Sequence, residues 1–200
     1  MIDFESLLFN IEISGNAPRP GSLLVAEPFL REQYFNHSVI YLVDYEPAGP
    51  AMGIVLNQLT GYALADLLPG VRNSSRIPVY CGGPMSCDRL YFIHSLGDII
   101  PGAKQISGEI YIGGDIDAML NVVNSTYYDP ALVRFFVGYS GWDSRQLDEE
   151  LLKNVWAVTE VPAGFNLLEG AEDAYWHSVV RSMGSKYRGW LYHPRNVHAN

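Results

Sequence analysis

Ser38–Asp44 reads SVIYLVD, and Met52–Asn57 returns as MGIVLN after a turn that holds Pro47, Gly49 and Pro50. Both runs are apolar on nearly every residue, with β-branched and aromatic side chains. A strand with one wet face alternates; one apolar throughout must be covered on both faces. The pair therefore predicts a hairpin at the centre of a sheet, with other elements packed above and below it. Each run is far shorter than the roughly 20 apolar residues of a membrane helix.

The remaining periodicities supply the layers. Ser22–Ala26, Val79–Tyr80, Leu90–His94, Glu109–Ile112, Leu132–Tyr139 and Trp156–Val161 read as further strands. Leu64–Leu68 reads as one helical turn, stopped by Pro69 and Gly70. Asp115 is placed to cap a helix with Ile116, Met119, Leu120 and Val123 on one face. Asp143 and Gln146 have capping-box spacing ahead of Leu147, Leu151 and Val155. Glu172–Met183 carries Trp176, Val179, Val180 and Met183 along one side, and Gly184 suits its end. Strands come in runs and helices follow irregularly, which predicts an α+β fold with a mixed, mostly antiparallel sheet. Residues 1–14 read as an arm with Phe4, Leu7, Leu8 and Ile11 at helical spacing, 15–184 as a single domain, and 185–200 as a tail. In that tail Lys186, Arg188 and Arg195 alternate with Tyr187, Trp190 and Tyr192, and docking on its own domain or on a partner is expected.

Thirteen basic residues against 22 acidic ones leave a formal charge of −9, which repels phosphate and disfavours direct DNA binding. Asp3 and Glu5 stand where a signal peptide needs basic residues, and no apolar run could span a membrane, so a cytoplasmic protein without membrane contact is expected. Cys81 and Cys87 lack zinc-knuckle and C-x-x-C spacing; they read as free thiols, with a bridge across the Gly82–Pro84 turn as the alternative. His37, His94, His177, His193 and His198 show no H-x-H or H-x-x-x-H spacing and no carboxylate is read at a metal-like offset, so neither metal nor cofactor is expected.

Two motifs invite a chemical reading. Gly138-Tyr139-Ser140-Gly141-Trp142 approaches the G-x-S-x-G nucleophile elbow, with Asp148 or Asp173 and His177 or His193 in the chain order of a hydrolase triad. Trp142 occupies the place of the last glycine, so a turn followed by a buried indole is the plainer reading. Gly82-Gly83-Pro84 could turn amides toward an anion but lacks the Lys and Ser/Thr of a phosphate loop. Asp148 and Glu149 read as a solvated helix start, whereas Glu150 lies beside the apolar stripe and could hold Trp142.

Taken in order, Gly21-Ser22-Leu23-Leu24-Val25-Ala26-Glu27-Pro28, Phe35-Asn36-His37-Ser38-Val39, Gly53-Ile54-Val55-Leu56-Asn57, Gly82-Gly83-Pro84 and Gly138–Trp142 continuing through Gln146, Glu150, Asn154 and Trp156 resemble the YqgE/AlgH family of bacterial proteins. The departures are Ser140, where that family tends to alanine, and Arg145, where it tends to glycine. The resemblance implies a cytosolic α+β protein whose sheet bends into a pseudo-barrel with flanking helices, and it brings no established enzymatic activity. One branch is named for an effect on exopolysaccharide genes; with no helix-turn-helix and the wrong charge, that effect reads as indirect.

The expectation is a non-enzymatic regulatory or binding protein for a small molecule or a protein, the ligand being a small anion, a nucleotide or a peptide. Its site lies where polar and glycine-rich turns close three apolar strands: Asn57, Gly82, Gly83, Pro84, Gly138, Tyr139, Gly141, Trp142, Gln146 and Glu150. The alternatives are a direct DNA-binding regulator and a serine hydrolase using Ser140.

Overall fold

The computed structural model describes residues 16–32 and 34–193; the arm expected at 1–14 lies outside them. The strands are β1 (Leu23–Ala26), β2 (Val39–Tyr45), β3 (Ala51–Val55), β4 (Leu59–Ala63), β5 (Pro78–Cys81), β6 (Met85–His94), β7 (Lys104–Ser107), β8 (Ile110–Ile112), β9 (Val133–Trp142) and β10 (Trp156–Thr159). They lie in the order β10-β1-β2-β3-β9-β6-β8-β7, with β5 also beside β9 and β4 beside β5. Only β5 and β9 run parallel; the other described pairs are antiparallel. The result is an α+β fold whose sheet curls into a half-barrel.

The central hairpin is covered on both faces, as its composition requires. Val39, Tyr41 and Val43 join the cluster around Trp176, under α4 (Glu172–Ser182). Ile40 and Leu42 join the cluster of Trp142, Trp156, Leu147 and Leu151, under α3 (Gln146–Leu152). Farther along the sheet, α2 (Ile116–Val123) packs Met119 and Val123 on Phe92 and Phe135. Asp115 caps α2 by accepting from the Ala118 amide at 2.7 Å. α1 (Leu64–Leu67) is the expected single turn. The first part of the tail folds as a 3-10 segment, Ser185–Tyr192, and lays Trp190 parallel to Trp176, ring centroids 6.2 Å apart.

Gly138–Trp142 is not a turn. β9 continues to Trp142, pairing Ser140, Gly141 and Trp142 with Gly53, Met52 and Ala51 of β3. Gly138 at φ +72 bends the strand without ending it. β6 likewise begins at Met85, five residues before the expected start, and short, largely exposed β4 and β7 carry no periodic signal.

A strand crossing sets the geometry of the glycines. β5 lies on the β3 edge of β9, and β6 lies on the opposite edge. The connection Gly82–Pro84 therefore passes over β9. A side chain on Gly82 would strike the Gly138 carbonyl, and one on Gly83 would strike the backbone of Tyr139 and Ser140. Amides at this crossing are committed to the fold. The Cys81 and Gly82 amides are spent on the Gln58 and Val137 carbonyls, at 2.7 and 2.8 Å, and Pro84 has no N–H.

The helix opened by Asp143 differs in detail from the expected capping box. The Gln146 side chain does accept from the Asp143 amide at 3.1 Å, but the residue before the helix is Arg145, at φ +67. That left-handed backbone costs a side-chain-bearing residue about 1–2 kcal/mol. Arg145→Gly is expected to raise the unfolding free energy by about 0.5–1 kcal/mol after the greater chain entropy of glycine is subtracted. Urea unfolding at constant m-value checks this.

Candidate functional site

A concavity lies where the tip of the β2–β3 hairpin meets the β9–α3 corner. It has a volume of 420 Å³. Its walls are Met52, Met85, Tyr139 and Trp142, and Gly141 between them leaves the room that Met85 and Tyr139 occupy. Its rim carries Asp44, Glu46 and Asp143, with Gln146 alongside. No basic residue among the described residues lines it; Lys104 stands outside and pairs with Asp44 at 3.1 Å.

The rim acids are placed by their elements. A register shift between Leu42 and Asp44 breaks the alternation of β2 just before its end, and Asp44 is exposed there. Asp148 then fastens the hairpin tip to α3, accepting from the Tyr45 hydroxyl at 2.9 Å and from the Ala48 amide at 3.0 Å. It is thus a tie between two elements and not a solvated charge. Burial, followed by the bond to Asp148 and its charge, pushes the Tyr45 phenol up to about 12, so it stays a donor across the neutral range.

Glu150 holds the floor. One carboxylate oxygen accepts from the indole N–H of Trp142 at 2.8 Å and of Trp156 at 2.7 Å; the other accepts from the Gln146 amide at 3.0 Å. The two indoles meet edge to face, 6.2 Å apart. One carboxylate therefore sets the orientation of the pocket's aromatic wall and of its rim amide. Glu150→Ala is expected to cost about 2–3 kcal/mol, because two buried indole donors lose their acceptor. Glu150→Gln keeps one acceptor and should cost about half as much in the same urea experiment.

Four residues of the expected cluster line the concavity: Tyr139, Gly141, Trp142 and Gln146. Glu150 stands behind them. Gly82, Gly83 and Gly138 are used up in the strand crossing, and Pro84 beside them is exposed at its end, outside the lining. Asn57 is elsewhere. It is fully buried, accepts from the Val39 amide, and donates to the carbonyls of His37 and Glu172, each bond at 2.9 Å. Ser140 is buried too, and its hydroxyl donates to the Gly82 carbonyl at 3.2 Å. Asp44, Glu46, Met52, Met85 and Asp143 lie outside the expected cluster; Asp44 and Glu46, just ahead of the Pro- and Gly-rich hairpin turn, are the available signal. Cys81 and Cys87 are free thiols, and burial pushes the Cys81 thiol up.

Comparison with known proteins decides the family. The profile of the AlgH-like family, DUF179, matches residues 23–188. The chain belongs to the AlgH-like family. A UPF0301 protein of Parabacteroides distasonis is 38% identical over 96% of this chain and 97% of its own length. One from Bacteroides thetaiotaomicron is 34% identical, covering 97% of each chain. The fold matches the solution structure of the AlgH protein from Pseudomonas aeruginosa, with TM-score 0.68 at 24% identity over 86% of this chain and 94% of that one. An AlgH-like member thus presents, in its hairpin–helix corner, a pocket with an aromatic and thioether floor and an acidic rim. No described helix is long and apolar enough to cross a membrane.

Proposed function

We propose that this AlgH-like protein is a non-enzymatic, cytoplasmic binding protein with a regulatory role, and that the hairpin–helix pocket receives a cationic group carried on an apolar stem. The observation that supports this most is the pairing of rim and floor: Asp44, Glu46 and Asp143 above Trp142, Tyr139, Met52 and Met85. An ammonium or guanidinium group is attracted to the carboxylates and to the faces of indole and phenol rings, while its methylene stem displaces water from the thioethers. The volume falls within the range of small-molecule sites. The net charge of −9 steers cations toward the surface and opposes anions such as nucleotides. The same charge speaks against seating a DNA duplex, so a regulatory effect would pass through the ligand or a protein partner.

A thermal-shift comparison tests the reading. Polyamines and agmatine are expected to raise the midpoint in a salt-sensitive manner, whereas nucleotides and citrate leave it unchanged. Stabilisation by the anions alone would overturn the assignment of ligand charge.

A further inference from the structure

We propose that His37, Asp173 and His177 form a binding site for a zinc-class divalent cation, separate from the hairpin–helix pocket. One donor atom from each residue lies within 4.8 Å of the others. His37 precedes β2, whereas Asp44 of the pocket lies near its other end, so the sites are roughly 20 Å apart along the strand.

The expectation of no carboxylate at a metal-like offset from a histidine is corrected at Asp173 and His177. Asp173 and His177 are four residues apart on α4, which places both on one helical face. The third donor arrives through the fold. Asn57 bonds at once to the His37 and Glu172 carbonyls and so ties the loop before β2 to the start of α4. Both tied residues hold left-handed backbones, φ +48 at His37 and φ +54 at Glu172. Such conformations persist only where surrounding structure imposes them, and they concentrate at functional sites. The His37 ring is further fixed flat on Trp176, 4.0 Å between centroids, and edge-on to His177.

The donor geometry fits a small metal. The His37 Nδ1 is 2.5 Å from one Asp173 oxygen, and the His177 Nδ1 is 3.3 Å from the other. Metal–ligand bonds of about 2.0–2.1 Å in a tetrahedral site separate the donor atoms by roughly 3.3 Å. The His177 pair already meets that spacing, and the bond that the same Nδ1 makes to the Asp173 carbonyl at 2.9 Å is given up when a metal is ligated. The His37 pair needs an opening of less than about 1 Å. Asp173, with 42% of its side chain exposed, is free to provide it. Two imidazole nitrogens and one carboxylate make a nitrogen-rich, borderline donor set suited to Zn²⁺ and Co²⁺ rather than to Mg²⁺ or Ca²⁺. Three protein ligands leave one position for water or an external ligand.

Calorimetric titration of the full chain with Zn²⁺ tests the site, with visible absorption of bound Co²⁺ as a second readout. Wild type is expected to bind one zinc per chain. Asp173→Asn and His177→Gln, each shown to be folded by circular dichroism, should weaken binding at least about tenfold. The double variant Cys81→Ser/Cys87→Ser should bind as wild type does. Undiminished binding in both the Asp173 and His177 variants, loss of binding in the cysteine variant, or no zinc uptake by wild type overturns the proposal and leaves the trio a hydrogen-bonded clamp.

Discussion

Alanine at Gly83 should destabilise the protein by about 2–6 kcal/mol, a large share of the stability of an ordinary domain. Two costs add. Gly83 has φ +146, which L-residues rarely adopt, at about 1–3 kcal/mol. The added methyl would also strike the backbone of Tyr139 and Ser140, where no flexible side chain can yield, at another 1–3 kcal/mol or so. Gly82→Ala keeps only the collision, with the Gly138 carbonyl, and should cost less. Soluble yield and urea midpoints measure both. A loss below about 1 kcal/mol at Gly83 would mean that the crossing opens readily and could admit a ligand after all.

Asn57→Ala should remove about 3–4 kcal/mol. The side chain makes three hydrogen bonds with no exposure to water, so its loss strands one buried amide and two buried carbonyls. The Asn57 carbonyl also accepts the first amide of α4, from Glu172, at 2.6 Å. That backbone bond survives the substitution, so the helix should stay attached while its start loosens. Hydrogen exchange can distinguish the levels. The Val39 amide should lose protection more than the α3 amides, which have no link to Asn57. Uniform loss across both helices would indicate that Asn57 carries the whole fold.

The sheet was legible because buried strands announce themselves. SVIYLVD and MGIVLN have no wet face, and both lie at the centre of the sheet with a cluster on each side. β4 and β7 were not legible, since exposed strands of four or five residues carry no periodic signal. Gly138–Trp142 reads as a turn because glycine is the usual mark of one; in the fold the glycines serve a strand crossing, which depends on pairing far along the chain. For the site, local chemistry gave Trp142, Gln146 and Glu150, within one helix and its approach. It could not give Met85 or Asp44, which reach the pocket through β6 and β2. Asn57 reads as a polar residue at a turn, and only the tertiary fold shows its side chain making three hydrogen bonds.

The pocket's preference for a cationic group is tested most directly by following side-chain resonances of the labelled protein during titration with spermidine. The signals of Trp142 Nε1–H and the Gln146 amide should move in a saturable, salt-sensitive way. Those of Trp176 and Trp190, which lie in the other cluster, should stay in place. Asp44→Asn/Asp143→Asn should abolish the response without loss of fold. Shifts confined to Trp176 and Trp190, or a response unchanged in the double variant, would contradict the account.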